Sequence, residues 1–574
     1  MALGYPRVPT HGSPAKDGYP FRFVQLPSVP IAEPDIIETD VVIVGSGCGG
    51  AVAAKTLAES GLKVLVVDKG YYWSPLRLPM SEAEAAAHLF YNGGVAQSDD
   101  ASVSIVAGQA WGGGGTVNWS ACLQTQGFVR REWAQKFGLS HFTSAEYQRD
   151  MDAVCERMGV GTSAIEHNAS NRTVLEGARK LGWSAKVVPQ NTAGAAHNCG
   201  YCTLGCGSCD KKGPTETFLP DAVEAGAEFM EGFECERVMF EDTERGNRTA
   251  TGVHGTWAPR NADGGVIGGE TREVIIKAKR TIISAGTLAT PFLLLQSGLT
   301  NKHIGRHLHL HPVSFLAAVW DEDIRPWEGS ILTSVINELE NLDGDGYGTK
   351  LEATTMLPGF FLPGFPWRNG LQAKEFAVKM KRMTGYISLS RDRYGGRVYA
   401  SPDGSRLKVA YTPSEYDKQH ILEGVIRLAE MAYVQGAREL HTAIREIEPF
   451  VRPTSSPDSN VHVNEIADPS VNDPEFQTWL AKIRKVGFPA PQSRFASAHQ
   501  MGSCRMGTSE ANSVVDPRGR VWGVEGLYVC DASVFPSASG VNPMITNMGI
   551  SRGTARGIAR EMGALPELVA KARL

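Results

Sequence analysis

The amino-acid sequence predicts an α/β protein built on a doubly wound parallel sheet. Residues 39–44 form a β-branched, apolar run that is typical of a buried parallel strand. A glycine-rich turn at residues 45–50 and an alanine-rich helix at about residues 51–60 follow it, and residues 62–67 predict a second strand. This order of strand, turn, helix and strand is how a doubly wound sheet begins.

Length and composition narrow the class of protein. The chain has 574 residues, too many for one compact core, which indicates two domains or one elaborated domain. Hydrophobic residues make up 42% and charged residues 21%, as in a soluble globular protein. The net charge of -5 gives no reason to expect nucleic-acid binding. Ten cysteines in a chain of this length are not a disulfide scaffold, so we expect a reducing, intracellular compartment.

No segment predicts a membrane helix or a signal peptide. Residues 281–299 carry no charge, but Gly286, Pro291 and Gln296 favour a strand, a turn and a buried helix instead. The last three residues, Ala572-Arg573-Leu574, are a conservative variant of the peroxisomal Ser-Lys-Leu tripeptide. We therefore expect a peroxisomal location, with the import receptor as a partner.

The first glycine-rich turn predicts a dinucleotide site. Gly45, Gly47 and Gly50 have the spacing Gly-x-Gly-x-x-Gly, which lets backbone amides approach a pyrophosphate at a helix N-terminus. Asp68 ends the second strand, where a carboxylate accepts hydrogen bonds from an adenosine ribose. The alternative is a tight turn without a ligand. NAD and FAD share this pattern, so the turn alone does not choose between them.

A second glycine run favours the flavin. It extends from Gly108 through Gly113 to Asn118, with four consecutive glycines at residues 112–115. Such a run lets the chain lie flat against a planar ring, to which Asn118 can form hydrogen bonds. A tightly held FAD needs this second cradle, whereas a mobile nicotinamide does not.

The C-terminal part supplies a base and an amide. His499 lies in a Gly/Ser-rich loop, and an Asn542-Pro543 dipeptide follows 43 residues later. A histidine can accept a proton near neutral pH, and an asparagine can hold a hydroxyl in place. Between them, residues 526–530 predict a short strand that ends at Asp531. This combination suits alcohol oxidation beside a redox cofactor.

Four ordered motifs resemble the glucose-methanol-choline (GMC) oxidoreductase family. They lie at residues 41–68, 108–118, 286–298 and 499–547, and the resemblance covers roughly residues 40–560. Within the family, residues 199–217 and 304–312 are most similar to the long-chain fatty alcohol oxidases. The full-length plant and yeast members carry a longer N-terminal extension with hydrophobic segments, so membrane contact stays open for this chain.

The resemblance implies an FAD enzyme of α/β class, α+β overall, in which a substrate domain built on an antiparallel sheet joins the doubly wound domain. It implies that His499 is the catalytic base and Asn542 its partner. Asp531 would bond the ribityl chain, the Pro543 amide would face the isoalloxazine, and Val238 would contact adenine through its backbone. The glycines of the first turn and Asp68 would hold the ADP half.

Motif order also predicts the domains. An N-terminal arm covers residues 1–37. The FAD-binding domain takes residues 38–130, 205–305 and 495–574, and the substrate domain takes residues 131–204 and 306–494.

The resemblance implies oxidation of a long-chain primary alcohol to an aldehyde, with molecular oxygen reduced to hydrogen peroxide. A dehydrogenase with a different electron acceptor and a lyase or photodecarboxylase are the alternatives. An apolar segment at residues 356–367, broken by Pro and Gly, is poorly suited to helix or strand. We expect it to line an access channel for an alkyl chain, with docking on a lipid surface or core packing as alternatives.

Two clusters could bind metal. Cys199, Cys202, Cys206 and Cys209 have a spacing that suits zinc or an iron–sulfur cluster. The other interpretation is a loop over the flavin with buried thiols, which we favour, so no metal is predicted. His307, His309 and His311 alternate, and a strand would place them on one face. That segment matches a family loop beside the flavin, so again we expect no metal.

Overall fold

The computed structural model describes residues 15–26, 33–242, 248–260, 271–452 and 469–564. The C-terminal tripeptide at residues 572–574 lies outside these ranges, as does much of the predicted N-terminal arm.

The strands of the described residues are β1 Asp35–Val44, β2 Val64–Asp68, β3 Ala96–Gln97, β4 Val103–Ile105, β5 Val160–Gly161, β6 Ala185–Val187, β7 Gln190–Asn191, β8 Glu228–Glu231, β9 Phe233–Asp242, β10 Arg248–Trp257, β11 Arg272–Ile283, β12 Arg306–Leu308, β13 Val313–Val319, β14 Ser334–Ile336, β15 Thr349–Ala353, β16 Met383–Ser390, β17 Gly396–Ala400, β18 Leu407–Ala410, β19 Glu439–Thr442, β20 Phe450–Val451, β21 Phe495–Ser497, β22 Val524–Glu525 and β23 Leu527–Val529.

The helices are α1 Cys48–Glu59, α2 Glu82–Leu89, α3 Gly114–Val117, α4 Gly127–Lys136, α5 Ala145–Arg157, α6 Ala169–Leu181, α7 Phe218–Glu224, α8 Gly286–Gln296, α9 Pro358–Phe361, α10 Gly370–Val378, α11 Glu415–Val434, α12 Pro474–Val486 and α13 Met544–Glu561.

The first sheet has the doubly wound topology that the sequence predicts. Its parallel part runs in the order β8, β2, β1, β11, β23, which is the order 3-2-1-4-5 along the chain. The antiparallel strands β9 and β10 extend it beyond β11. Helices α1, α7 and α13 pack together beside this sheet, and their buried faces join the strands in one hydrophobic cluster. The fold-class prediction is confirmed.

Strand β1 begins earlier than its apolar pattern predicts. It starts at Asp35 rather than at residue 39, because residues 35–39 pair in parallel with residues 274–278 of β11. Asp35 also forms a salt bridge with Arg272. Hydrogen bonding to a long neighbouring strand thus extends β1 into a segment whose side chains are partly exposed.

The second sheet is mostly antiparallel, as the family resemblance implies. It follows the order β3, β4, β21, β13, β16, β15, β14, β6, and only β4 and β21 pair in parallel. Helix α11 packs across β13, β15 and β16 and buries Ile421, Val425 and Leu428 in the second hydrophobic cluster. Strands β3, β4 and β21 belong to this sheet, whereas the predicted ranges assign them to the FAD-binding domain. The domain boundaries as a whole stay a prediction.

The uncharged segment at residues 281–299 forms the end of β11, a turn and α8, as predicted. None of the helices in the described part of the chain is long and apolar enough to cross a membrane.

A pair of helical glycines tests the packing of α11 on the second sheet. A Cβ at Gly424 would lie 2.1 Å from Ser388 Oγ and 2.9 Å from Thr349 Cγ2, so Gly424→Ala forces the helix away from the sheet. We expect a loss of about 1–3 kcal/mol in the free energy of unfolding. At Gly557 in α13 nothing lies within 4 Å, and Gly557→Ala should be neutral or stabilising. Thermal unfolding midpoints measure both, and equal midpoints for the two variants would contradict this packing.

Candidate active site

The turn between β1 and α1 leaves no room for a side chain at two of its glycines. At Gly45, φ is +110° and a Cβ would lie 2.1 Å from the Ser284 carbonyl oxygen, while a Cβ at Gly50 would lie 1.9 Å from the Gly45 oxygen. Gly47 is the N-cap of α1, and no side chain caps the helix. The first amides of α1 are therefore available to an anion, which is how a helix N-terminus binds a pyrophosphate.

Asp68 holds this turn from the end of β2. One carboxylate oxygen accepts hydrogen bonds from the Ser46 amide (2.7 Å) and hydroxyl (2.6 Å), and the other accepts one from the Gly70 amide (2.8 Å). Burial raises the pKa of Asp68. A carboxylate has about four acceptor sites, so the side chain retains capacity for a ribose hydroxyl. That contact stays a prediction.

The second glycine run lies directly against the first turn. Gly112 (φ +87°) donates its amide to Ser46 Oγ (2.9 Å), and a Cβ at Gly113 (φ +55°) would lie 3.0 Å from the Gly47 Cα. At Gly108 a Cβ would lie 2.7 Å from the Gly113 oxygen. The run therefore folds back on itself and enters the short helix α3, rather than lying extended.

The strand end at Asp531 forms the third side of the site. A Cβ at Gly49 would lie 1.8 Å from the Cys530 oxygen, so α1 touches this strand end through backbone. Asp531 is buried and accepts hydrogen bonds from the Gly286 amide (3.0 Å), the Thr290 hydroxyl (2.5 Å) and the Ser533 amide (2.8 Å). The carboxylate thus organises the start of α8, and its contact with a ribityl chain stays a prediction.

Asn118 connects the glycine run to the C-terminal helix. Its side-chain amide lies 3.0 Å from Met544 Sδ in the first turn of α13. Pro543 is the N-cap of that helix. Because proline has no N–H, an amide donated from this helix N-terminus to a bound ring must come from Met544 or a later residue. Pro543 itself can contribute only its ring and carbonyl.

Val238 is buried in β9, as its pattern predicts. Its amide donates to Ser297 Oγ (2.8 Å) at the end of α8. The Val238 N–H is therefore already satisfied within the protein, and the backbone contact with adenine stays a prediction.

His499 is held close to the glycine run by backbone pairing. It follows β21, which pairs with β4, and the Val106 amide donates to the Ser497 oxygen at 2.8 Å. The Gln500 side chain donates to the Val106 oxygen (3.1 Å), two residues before Gly108. The loop that carries the histidine and the loop that leads into the cradle are thus one local structure.

His499 lies between an amide and a second histidine. Its Nε2 is 3.4 Å from Asn542 Nδ2, and its Nδ1 is 3.3 Å from His311 Nδ1. Burial lowers the pKa of His499 to about 4, so the ring is neutral at pH 7. The two predicted catalytic residues therefore meet, although they are 43 positions apart in sequence.

The proton between the two histidines determines which nitrogen of His499 is bare. The Gly540 amide donates to His311 Nε2 (3.1 Å), which favours a proton on His311 Nδ1 and on His499 Nε2. The Asn542 Nδ2 donor, 3.4 Å from His499 Nε2, favours the opposite tautomer. A base that acts through Nε2 needs its own proton on Nδ1. His311 then carries its proton on Nε2 and cannot accept the hydrogen bond from the Gly540 amide. Leaving that buried amide unpaired costs about 1–3 kcal/mol.

The histidines at 307, 309 and 311 do not share one face. Strand β12 ends at Leu308, and His307 (φ +65°) and His311 (φ +48°) have left-handed backbone, which breaks the alternation of a strand. His307 contacts His303 (3.1 Å), whereas His309 contacts Asp392 (3.2 Å). The expectation of a common face on a strand is therefore wrong.

Two acids of the site escaped sequence reasoning. Asp392 accepts hydrogen bonds from the amides of Leu310 (3.1 Å) and His311 (3.0 Å) and so holds the histidine segment. Glu352 in β15 is 1% exposed and forms a hydrogen bond with Asn542. Burial raises its pKa to about 7, while the charge of Lys350 opposes the shift. No local pattern singles out Glu352, because β15 reads TKLEA and is buried only through the packing of the sheet.

The cysteine loop covers the glycine run. Lys211 Nζ donates to the Thr116 and Asn118 oxygens (2.8 Å each), and the Trp119 indole donates to Thr203 Oγ1 (2.9 Å). All four cysteines of the spaced pattern are buried. Cys199 and Cys202 come together with His197.

The apolar segment at residues 356–367 is more regular than its composition predicts. It contains α9 and a single 3-10 turn at Leu362–Gly364, so the expectation of neither helix nor strand is wrong. Phe361 and Phe365 are buried in a core cluster, which agrees with the alternative that the segment packs in the core. Phe360 is half-buried, and its ring centroid lies 5.4 Å from that of Phe90, whose backbone bridges to Gly108.

These features fit a flavin dinucleotide. An uncapped helix N-terminus, two glycine loops in backbone contact and an acid at the end of β2 converge at the carboxyl ends of parallel strands. Ligands of doubly wound sheets bind at this edge. His499 and Asn542 lie on the loops that adjoin it.

Comparison with known proteins identifies the family. Residues 86–313 and 383–551 match the two models described as GMC oxidoreductase, and residues 43–75 match an NAD(P)-binding Rossmann-like domain. The chain belongs to the GMC oxidoreductase family. It is therefore a flavin-dependent oxidoreductase of the class that acts on CH–OH groups.

Two long-chain-alcohol oxidases of Arabidopsis thaliana are similar to this chain. One is 36% identical over 527 residues, which cover 90% of this chain and 68% of the relative. The other is 34% identical over 540 residues, covering 92% and 68%. The formate oxidase of Aspergillus oryzae has a similar fold, with a TM-score of 0.62 at 16% identity over 92% of this chain and 99% of the other.

Glu352 should make the stability of the protein depend on pH. Its folded pKa lies above the ordinary value, so its stabilising contribution is complete below about pH 4.5 and is lost as the pH rises through 7. Glu352→Gln stays neutral at every pH. From about pH 5 to about pH 9, its free energy of unfolding should therefore rise relative to wild type by up to about 3 kcal/mol.

Denaturant unfolding at both pH values measures this difference. Glu340→Gln is the matched control. Burial raises the pKa of Glu340, but the charge of Lys350 and hydrogen bonds outweigh it and lower the pKa overall. Its stabilising contribution is therefore nearly complete above about pH 5, and the difference from wild type should stay almost constant up to about pH 9. A pH-independent difference for Glu352→Gln would show that the carboxyl titrates normally.

Proposed function

We propose that this protein is an FAD-dependent oxidase that converts long-chain primary alcohols to aldehydes and reduces molecular oxygen to hydrogen peroxide. The observation that carries the proposal is the contact between His499 and Asn542 (3.4 Å) on loops that adjoin the two glycine runs. The similarity to long-chain-alcohol oxidases over about nine-tenths of the chain supports the substrate class.

Different residues of the chain would hold the two halves of FAD. The α1 N-terminus and Asp68 would hold the ADP half, and the second glycine run with Asn118 would lie against the flavin ring. When bound, FAD supplies the hydride acceptor and the route of electrons to oxygen. Asp531 lies at the strand end between these two parts.

His499 takes the proton of the alcohol hydroxyl in this proposal. Its low pKa keeps the imidazole neutral at physiological pH. The base form at Nε2 is the tautomer that gives up the Gly540–His311 hydrogen bond. The proton is accepted at Nε2, in the tautomer that places a proton on Nδ1 toward His311. Asn542 orients the hydroxyl, and Glu352 in turn holds the amide of Asn542. General-base assistance of this kind contributes about 10²–10⁴-fold.

Removal of the imidazole should separate cofactor binding from chemistry. We expect His499→Ala to retain yellow, bound flavin and to lose about 10²–10⁴-fold in kcat, because only the proton acceptor is missing. His88→Ala, which changes an exposed histidine of α2, is the control and should be normal. Flavin absorbance and oxygen uptake with dodecanol measure the two properties, and near-normal turnover by His499→Ala would rule out the base assignment.

The apolar segment would provide specificity for a long chain. Phe361 is unsuitable for testing because it is 1% exposed in a core cluster, so a charge there would disturb folding. Phe360 is half-buried and packs on Phe90, which adjoins the glycine run through Gly108. It is the aromatic residue of the segment best placed to contact an alkyl chain on its way to the site.

Phe360→Asp should therefore discriminate between chain lengths. We expect the KM for dodecanol to rise by about tenfold or more and the KM for butanol to change little, because a charge opposes only the long chain. Tyr394→Asp, at an aromatic residue that is 59% exposed, is the matched control. Equal changes for the two alcohols would count against a channel at Phe360.

The products of the reaction identify the electron acceptor. An oxidase releases one hydrogen peroxide per aldehyde in air, whereas a dehydrogenase turns over only with an added dye or quinone. A lyase would form product without either acceptor. The peroxisomal location inferred from residues 572–574 stays a prediction.

A further inference from the structure

His197, Cys199 and Cys202 form a compact group outside the reaction site. One ligand atom from each lies within 4.8 Å of the other two, and His197 Nε2 is 2.9 Å from Cys202 Sγ. The three residues are 5%, 8% and 2% exposed. An imidazole and two thiols therefore lie close together in the interior, where burying a polar group without a partner costs free energy.

The backbone holds these side chains in position. Cys199 pairs with Glu328 in an antiparallel bridge, and the Ser330 hydroxyl donates to the His197 oxygen. Between the two cysteines, a Cβ at Gly200 would lie 1.9 Å from the Trp327 oxygen, so only glycine fits. The segment that carries the ligands is thus fixed against residues 327–330, and its side chains are preorganised.

The sulfur of Cys199 is also an acceptor for the backbone. The Tyr201 amide donates to Cys199 Sγ at 3.4 Å. This backbone N–H fixes the position of the sulfur, as hydrogen bonds to the ligands of metal sites do. The spacing Cys-x-x-Cys with a nearby histidine is a ligand pattern of zinc sites.

We propose that His197 Nε2, Cys199 Sγ and Cys202 Sγ bind one thiophilic metal ion, with zinc as the expected ion. Soft sulfur ligands combined with imidazole select zinc over magnesium or calcium. Binding forms two metal–sulfur bonds and one metal–nitrogen bond and releases the two thiol protons to solvent. The fourth position of the tetrahedron is left to water.

The other two cysteines of the spaced pattern are not ligands. Cys206 Sγ lies 3.5 Å from Ser208 Oγ, and neither Cys206 nor Cys209 belongs to the group. Four converging thiolates are needed for a cubane iron–sulfur cluster, so this arrangement favours a mononuclear ion. The prediction of no metal concerned the four cysteines as a set and stays a prediction, whereas the proposed ion uses a different ligand set.

The ion would stabilise the loop that covers the glycine run. Cys202 begins a 3-10 turn whose Thr203 hydroxyl accepts the Trp119 indole, one residue after Asn118. The metal would therefore stabilise the lid of the cofactor site without touching the reacting atoms. Its loss should loosen flavin binding before it affects the base.

Metal content and ligand identity test the proposal on the purified, flavin-containing protein kept under a thiol reductant. Elemental analysis should find about one zinc per chain, either as isolated or after incubation with zinc sulfate and desalting. X-ray absorption at the zinc edge should show two sulfur ligands at about 2.3 Å and the remaining ligands, imidazole nitrogen among them, at about 2.0 Å. This measurement needs only the wild-type protein, so it holds even if variants fail to fold.

Paired variants locate the ion. The double variant Cys199→Ser/Cys202→Ser should lose the zinc, and the matched double variant Cys206→Ser/Cys209→Ser should keep it. Absence of stoichiometric zinc after loading would overturn the proposal. Four sulfur ligands, or only oxygen and nitrogen ligands, would overturn it as well. So would a Cys199–Cys202 disulfide, found by mass spectrometry, that persists under reductant.

Discussion

The close contact between two glycine loops is the constraint on which the rest of the site depends. Ser46 ties them together, because its hydroxyl donates to Asp68 and accepts the Gly112 amide. A Cβ at Gly113 would lie 3.0 Å from the Gly47 Cα. Backbone can come this close only where side chains are missing. The two turns therefore present main-chain amides where a phosphate would bind, and His499 and Asn542 lie on the rim of the site.

The rim is a buried polar chain that joins the loop before α13 to the second sheet. It runs from the Gly540 amide through His311 and His499 to Asn542 and then to Glu352 on β15. Asn542 Oδ1 and Glu352 Oε2 have no hydrogen-bond partner among the described residues. Unsatisfied polar atoms in an interior are costly, and they are common where a substrate completes the network. The opposite pKa shifts of His499 and Glu352 both follow from burial, since burial disfavours either charged form.

Much of the fold was predictable because its signals are local. The apolar run of β1, the Gly-x-Gly-x-x-Gly turn and the acid of β2 occur in order within about thirty residues, and a βαβ unit needs little else. The exact start of β1 was not predictable, because residues 35–39 are strand only through pairing with β11. Likewise, the histidines at 307–311 alternate like a strand, but Asp392 holds their backbone in a turn from 81–83 residues away.

The sequence by itself indicated the family, predicted the flavin cradle and singled out His499 and Asn542 as the residues to examine. Those conclusions rest on residue types at short, fixed spacings, which are set by the covalent chain. Only the tertiary structure placed Glu352 beside Asn542, put His311 behind His499 and separated Cys206 and Cys209 from the group around His197. These contacts join residues up to about 190 positions apart. They are decided by how two sheets pack, and no local pattern encodes that packing.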